Sequence, residues 1–145
     1  MTTVLLLRHA TAGHRVDGQD DQLDQLRPLD DRGRRQAEGL VAGLSGHDIR
    51  RVLTSPYVRC RQTIEPLAGS LGLPVEERPE LAEGSTADDV RRLVDSLDGE
   101  TAVLCTHGDV VSEVLGEESK KGSTWVLEVG QDGSFEQRDY IAAPA

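Results

Sequence analysis

The sequence is poor in aromatic residues and in long apolar runs. Its 145 residues include one Trp, two Tyr and one Phe, so no aromatic platform for stacking nucleic-acid bases is indicated. No apolar run approaches the roughly 18 residues that a membrane span requires. The first residues, MTTVLLL, are too short and lack the basic charge of a signal peptide. We therefore expect a cytoplasmic protein.

The sequence also lacks an excess of positive charge and a cluster of cysteines. The formal net charge is −10, which argues against binding to nucleic-acid polymers or anionic membranes, since both partners require Lys and Arg. The two cysteines, Cys60 and Cys105, lie far apart and match no metal-binding spacing. We expect both to be reduced thiols in the core.

One segment is strongly acidic and has no periodicity. Residues 17–31 contain six aspartates and one arginine. We predict that residues 14–28 form a surface loop whose charges are hydrated. The alternative is that this loop binds a divalent cation, because carboxylates are the ligands that such ions prefer.

Elsewhere, short apolar runs alternate with segments of helical periodicity. The apolar runs predict strands over residues 4–7, 51–54, 74–78 and 101–106. The periodic segments predict helices that begin at Asp30–Asp31 and that cover about 57–70, 86–97 and 108–115. Pro66 should kink or break the second of these helices. Residues 124–129 and 134–141 flank a turn signal and predict a hairpin.

This order of elements is typical of an α/β fold. We predict that residues 1–145 form a single domain built as a three-layer sandwich. It contains a mostly parallel central sheet with helices on both faces and a C-terminal hairpin. In such sheets, functional sites form beyond the carboxyl ends of the strands.

Arginine and histidine follow three of the predicted strands. Arg8 and His9 end the first strand in LLLRHATA, Arg59 follows the second in SPYVRCRQT, and His107 follows the last parallel strand in VLCTHGD. We expect all four side chains to meet at one edge of the sheet. A guanidinium offers a planar fork of donors to phosphate oxygens, and an imidazole can attack phosphorus. The pattern indicates phosphoryl transfer.

These motifs resemble the histidine phosphatase superfamily, whose fold is that of the phosphoglycerate mutases. The segment LDDRGRRQA is also similar to a helix-opening motif of that family, and the resemblance covers most of residues 3–115. It implies a phosphohydrolase that needs no metal or other cofactor. His9 is then the nucleophile, with Arg8 and Arg59 holding the phosphoryl group and His107 as a second, hydrogen-bond-donating imidazole.

The chemistry adds requirements to this assignment. His9 must be neutral in order to attack, so one of its ring nitrogens should donate to a backbone carbonyl. We expect Thr11 and Gly108 to be further substrate-binding residues. The leaving oxygen needs a proton, and the family uses a glutamate for this step. Glu80 and Glu83 both lie in the corresponding segment, PELAEGS, and Glu83 matches the family pattern better.

The compact length and the RHATA motif resemble the SixA-type phosphohistidine phosphatases and the C-terminal phosphatase domain of two-domain Nudix enzymes in actinobacteria. The expected substrate is therefore phosphohistidine in a phosphoprotein or a small phosphate ester. Large insertions typical of the mutases are missing, and Ala10 replaces their glycine. The alternatives are a nucleotide or sugar-phosphate phosphatase of the same family, or a non-catalytic phosphate-binding scaffold. Neither cysteine begins the Cys-x5-Arg pattern of cysteine phosphatases.

Overall fold

The structure, a computed structural model, describes residues 1–14 and 20–145. Six strands of the described residues form one sheet in the order β3-β2-β4-β1-β5-β6. The strands are β1 (Thr2–Arg8), β2 (Arg51–Thr54), β3 (Val75–Glu77), β4 (Ala102–Thr106), β5 (Thr124–Val129) and β6 (Phe135–Ile141). Strands β3, β2, β4 and β1 are parallel, whereas β5 and β6 add an antiparallel hairpin at the β1 edge.

Helices cover both faces of this sheet. They are α1 (Asp21–Gln25), α2 (Asp31–Gly43), α3 (Val58–Leu71), α4 (Ala87–Asp95) and α5 (Gly108–Leu115). Helices α2 and α3 enclose one core with the sheet, and α4 and α5 enclose a second core on the opposite face. The predicted three-layer α/β sandwich is therefore confirmed.

Strand β1 lies at the centre of the sheet and contributes to both cores. Val4 and Leu6 face the core under α4 and α5, and Leu5 and Leu7 face the core under α2 and α3. All four side chains are fully buried. The unbroken apolar run in the sequence follows directly, because a parallel strand covered on both faces has no solvent side.

The acidic segment differs from the prediction. Residues 15–19 of the predicted loop lie outside the described residues, but Asp21–Gln25 form helix α1 rather than loop. Asp20 caps this helix by accepting a hydrogen bond from the Gln22 amide at 2.7 Å. Asp24, predicted to be hydrated, is only 3% exposed. Tertiary contacts of Asp24, described below, explain a helix that has no periodic signal of its own.

The predictions for the cap of α2 and for the cysteines are confirmed, whereas the one for Pro66 is not. Asp30 caps α2 as predicted, accepting a hydrogen bond from the Gly33 amide at 2.8 Å. Helix α3 continues through Pro66, so the predicted break is wrong, and a kink at this residue stays a prediction. Cys60 and Cys105 are free and buried, as predicted.

No helix among the described residues combines the length and apolar character needed to cross a membrane.

Candidate active site

The side chains predicted to carry the chemistry line one pocket beyond the carboxyl ends of β1, β2 and β4. The pocket has a volume of about 770 Å³. Arg8 is the last residue of β1, His107 directly follows β4, and Arg59 lies in the first turn of α3 after β2. The chain connects these ends through separate helices, so only the parallel sheet brings them together. Residues from the prediction that line the pocket are Arg8, His9, Arg59, Glu83, His107 and Gly108.

His9 is held in one tautomer. Its Nδ1 lies 2.8 Å from the carbonyl oxygen of Ala10, and a carbonyl only accepts, so Nδ1 carries the hydrogen. The other ring nitrogen, Nε2, then bears the lone pair. Burial lowers the pKa of His9 to about 3, and the nearby His107 and Arg59 add to this effect, although the hydrogen bond to Ala10 opposes it. The imidazole is neutral at physiological pH, as its predicted role requires.

The backbone around His9 is fixed by two neighbouring elements. The amide of His9 donates to the carbonyl of Thr106 at 2.9 Å, which extends the β1–β4 pairing past the end of the strand. The amide of Ala10 donates to the hydroxyl of Thr63 in α3 at 3.0 Å. The position of the imidazole is therefore set by β4 and α3 rather than by a free loop.

Arg59 is fully buried and has several acidic contacts. Its Nη1 donates to the backbone carbonyl of Asp24 at 2.9 Å, and its Nη2 lies 3.3 Å from the carboxylate of Asp24. Nη2 also donates to Oε1 of Glu83 at 2.6 Å, and the guanidinium lies 4.9 Å from the centre of the Tyr57 ring. These contacts orient the arginine and compensate its charge.

Arg8 packs against the start of α5. Its Nη1 donates to the carbonyl of Ser119. A Cβ atom at Gly108 would lie 2.8 Å from Cζ of Arg8, closer than a side chain tolerates. Glycine at position 108 therefore makes room for the guanidinium beside the pocket.

His107 lies between polar groups of three segments. Its Nε2 is 2.9 Å from the hydroxyl of Ser55, and its Nδ1 is 3.6 Å from Oε1 of Glu83. The ring makes an edge contact with Tyr57, with centroids 4.5 Å apart, and its centroid is 5.5 Å from that of His9. The two imidazole rings therefore contact each other edge to face and line the same pocket.

Four buried polar atoms of pocket residues have no hydrogen-bond partner within the described part of the chain. They are Nε of Arg8, Nε of Arg59, Nδ1 of His107 and Oγ of Ser119. Buried donors without an acceptor are unfavourable. An anion in the pocket would supply acceptors to this cationic group of side chains.

The two candidate acids have different surroundings. Glu83 lines the pocket and contacts both Arg59 and His107. Glu80 instead pairs with Arg78 at 2.7 Å and is not among the residues that line the pocket. The geometry therefore favours Glu83 as the acid.

Thr11 lies apart from the other predicted site residues. Its amide and hydroxyl both donate to Oε1 of Gln36 at 2.9 Å, and it does not line the pocket. Its carbonyl accepts from the Asp30 amide and leaves no space for a Cβ at Gly33. These contacts join the segment after His9 to the start of α2.

Several pocket residues were not predicted. Arg27, Asp109 and Lys121 line the pocket, and His14, predicted to be a surface residue, is exposed at its edge. Arg27 pairs with the buried carboxylate of Asp24 at 3.0 Å. It is the one arginine of the acidic segment, residues 17–31, and this was the feature of the sequence that could have marked it as a pocket residue. Asp109 and Lys121 had no pattern to distinguish them from other surface charges.

One group of described carboxylates is close enough to share a metal ion. Oxygen atoms of Asp21, Asp24 and Glu83 lie within 4.8 Å of one another. However, the guanidinium of Arg59 already contacts the carboxylates of Asp24 and Glu83. The positive charge of the Arg59 side chain thus already compensates two of these three carboxylates.

Comparison with known proteins gives a consistent assignment of family. The family model described as "Histidine phosphatase superfamily (branch 1)" matches residues 4–89. An 8-oxo-(d)GTP phosphatase from Mycolicibacterium smegmatis is 39% identical over 98% of this chain. The chain spans 48% of that relative, about half of its length.

Solved structures share the fold at lower identity. The protein histidine phosphatase SixA, complexed with tungstate, matches with a TM-score of 0.80 and 24% identity over 97% of each chain. A mycobacterial glucosyl-3-phosphoglycerate phosphatase matches with a TM-score of 0.75 and 19% identity over 95% of this chain and 97% of its own. At these identities the likeness concerns the fold alone.

Proposed function

The chain belongs to the histidine phosphatase superfamily, and from this premise we propose that it is a metal-independent phosphohydrolase acting through a phosphohistidine on His9. The observation that carries the proposal is the hydrogen bond between Nδ1 of His9 and the Ala10 carbonyl. It leaves a lone pair on Nε2 of a neutral imidazole in a pocket that three arginines also line. A scaffold that only binds phosphate does not require such a nucleophile.

In the first step, Nε2 of His9 attacks phosphorus and the bond between phosphorus and the leaving oxygen breaks. Glu83, in its carboxylic acid form, donates a proton to that oxygen. In the second step, water attacks the phosphohistidine and the resulting carboxylate of Glu83 accepts a proton from the water. The N–P bond breaks, phosphate leaves and His9 is regenerated.

Arg8, Arg59 and His107 stabilise the charge of the transferred group. The transition state spreads negative charge over the equatorial phosphoryl oxygens, so fixed donors around the pocket lower its energy. The buried donor atoms without acceptors in all three residues support this role. Gly108 contributes by admitting the Arg8 guanidinium at close range. The two guanidinium groups supply positive charge without a metal ion.

The proposed substrate is a phosphohistidine side chain or a small phosphate ester. The first candidate is phosphohistidine, the substrate named for the protein histidine phosphatase SixA, whose fold this chain shares. A nucleotide phosphatase is the second candidate, and the 39% identity to an 8-oxo-(d)GTP phosphatase favours it. A panel of phosphohistidine protein, nucleotides and sugar phosphates distinguishes the two by their kcat/KM values.

Turnover in the presence of a chelator tests the proposal. The wild-type protein with excess EDTA should release phosphate from a chromogenic ester, and His9→Ala should reduce this rate by at least about 1,000-fold. His47→Ala is the matched control, because His47 does not line the pocket. Equal rates for wild type and His9→Ala, or loss of wild-type activity on chelation, would rule the mechanism out.

The identity of the acid is tested separately. Glu83→Gln should lower kcat about 100-fold for alkyl esters, whose leaving group needs a proton, and much less for nitrophenyl esters. Glu80→Gln, the matched variant, should leave both rates close to wild type, since Glu80 is paired with Arg78. If Glu80→Gln shows the leaving-group dependence instead, the assignment of Glu83 is wrong.

A further inference from the structure

A second recess adjoins the catalytic pocket and is mainly apolar. It has a volume of about 540 Å³, and its apolar lining residues are Leu23, Leu26, Pro28 and Leu29. We propose that this apolar recess binds a flat, uncharged ring in the leaving group of the substrate, such as the base of a nucleotide. The inference rests on the proposed function, since it places the leaving group of the phosphoryl transfer.

Two leucines on the recess are unusually exposed. Leu23 and Leu26 are 54% and 64% exposed. Leu23 lies in α1 and Leu26 is the C-cap residue that follows the helix with helical backbone angles, so their spacing of three residues places both side chains on the same side. The other large hydrophobic residues exposed in the described part of the chain are Met1, Leu71 and Tyr140, and none of these lines the recess. Exposed leucines concentrated at a concave surface are typical of a ligand site.

The recess shares part of its lining with the catalytic pocket. Gly13, His14 and Arg27 line both cavities. Arg27 is held at this boundary by its ion pair with Asp24 and by a hydrogen bond to the Gly13 carbonyl. A ligand that leaves the phosphoryl site on this side passes a planar guanidinium, which suits an aromatic ring.

Helix α1 connects the recess to the proposed acid. Its buried residue Asp24 holds Arg59, and Arg59 in turn donates to Glu83 at 2.6 Å. Leu23, in α1, and Leu26, directly after it, are thereby kept at a set position relative to Glu83. In the proposed mechanism the leaving oxygen lies next to Glu83, so the leaving group extends towards α1.

The size of the recess indicates a small molecule rather than a protein surface. Ligand pockets have volumes of roughly 300–1,000 Å³ and combine apolar walls with a few polar groups. The recess falls in this range, and its polar lining residues are Arg27, Asp30 and His14. A sugar alone would leave the leucines uncovered, whereas a purine or pyrimidine ring would bury them.

Binding of two matched ligands tests this inference. Adenosine 5′-monophosphate and ribose 5-phosphate carry the same phosphate on the same ribose oxygen and differ in the base. Titration calorimetry on the His9→Ala protein measures both affinities without turnover. We expect the nucleotide to bind at least about 10-fold more tightly. Leu26→Ser and, separately, Leu23→Ser should each remove most of this difference while leaving ribose 5-phosphate binding unchanged.

Leu71→Ser is the matched control, because Leu71 is 40% exposed at the end of α3 and lines neither cavity. It should preserve the preference for the nucleotide. Equal affinities for the two ligands, or an equal loss of both in the leucine variants, would overturn the inference and favour a docking surface for a protein.

The test is independent of catalysis. Phosphate release from ribose 5-phosphate by the wild-type protein reports the proposed function alone. A leucine-dependent preference for the nucleotide without any turnover would retain the base-binding recess and reject the catalytic mechanism.

Discussion

At the scale of single residues, the proposed nucleophilic role of His9 depends on one backbone carbonyl and on burial. The Ala10 carbonyl holds the hydrogen on Nδ1, and burial lowers the pKa to about 3. The neutral imidazole is reactive, but keeping it neutral makes the folded state sensitive to acid. In the unfolded chain the pKa of His9 is 6.5, so as the pH falls below this value the unfolded chain binds a proton that the folded chain does not bind.

This difference predicts how stability depends on pH. His9 makes no contribution above pH 6.5, where both states are neutral, and it destabilises the fold progressively as the pH falls from 6.5 towards 3. At pH 5 the loss is up to about 2 kcal/mol. Urea unfolding at pH 7.5 and pH 5 should show a smaller loss for His9→Asn than for wild type or for His47→Asn. Identical losses in all three proteins would contradict the lowered pKa.

Gly108 provides a second prediction at this scale. Gly108→Ala should displace the Arg8 guanidinium and lower kcat/KM about 100-fold, since misplacement of about 1 Å is that costly. The same change should leave stability unchanged or raise it by about 0.5 kcal/mol, because alanine is the better helix former. Gly69→Ala, in α3 with open space around the new methyl group, is the control and should keep full activity. Full activity of Gly108→Ala would show that the close approach is unimportant.

The sequence predicted the pocket residues that form motifs and missed those that do not. Arg8, His9, Arg59 and His107 were found because each follows a strand in a recognisable pattern. Glu83 was predicted as the acid from its position in the segment PELAEGS. Lys121 and Asp109 reach the pocket from loops and helix starts, where nothing in a single sequence marks a charge as inward-facing.

At the scale of elements, α1 connects the acidic segment to the catalytic pocket. Five residues are too few for a helix that is stable by itself. Tertiary contacts hold it instead, because Asp24 pairs with both Arg27 and Arg59. The sequence therefore predicted a loop here, while α2, with its cap and its periodic apolar face, was predicted correctly.

The role of α1 leads to a prediction for Asp24. Asp24→Ala leaves Arg59 fully buried with less compensating charge, so we expect a loss of about 3 kcal/mol in the free energy of unfolding and a fall in kcat/KM of at least about 10-fold. Asp30→Ala removes the cap of α2 and should cost about 1 kcal/mol, with little change in activity on a small ester that does not reach the recess. Urea unfolding and steady-state kinetics measure both. A similar small effect for the two variants would show that Asp24 does not hold Arg59.

At the scale of the whole molecule, the parallel strands bring the site together. Arg8 and Thr106 are paired across β1 and β4, which places His9 and His107 next to each other although about 100 residues separate them in the chain. Alternation of strands and helices was enough to predict this arrangement. The apolar recess was not predictable, because it depends on how α1 packs against the rest of the chain.

The central claim is that a phosphoryl group is transferred to His9. The most direct measurement is to quench the wild-type protein during turnover of a phosphate ester and to locate the adduct by peptide mass spectrometry. We predict an adduct on the peptide that contains His9, stable in alkali and labile in acid, and absent from His9→Ala. Turnover without any adduct on His9, or an adduct on another residue such as His107, would contradict the account.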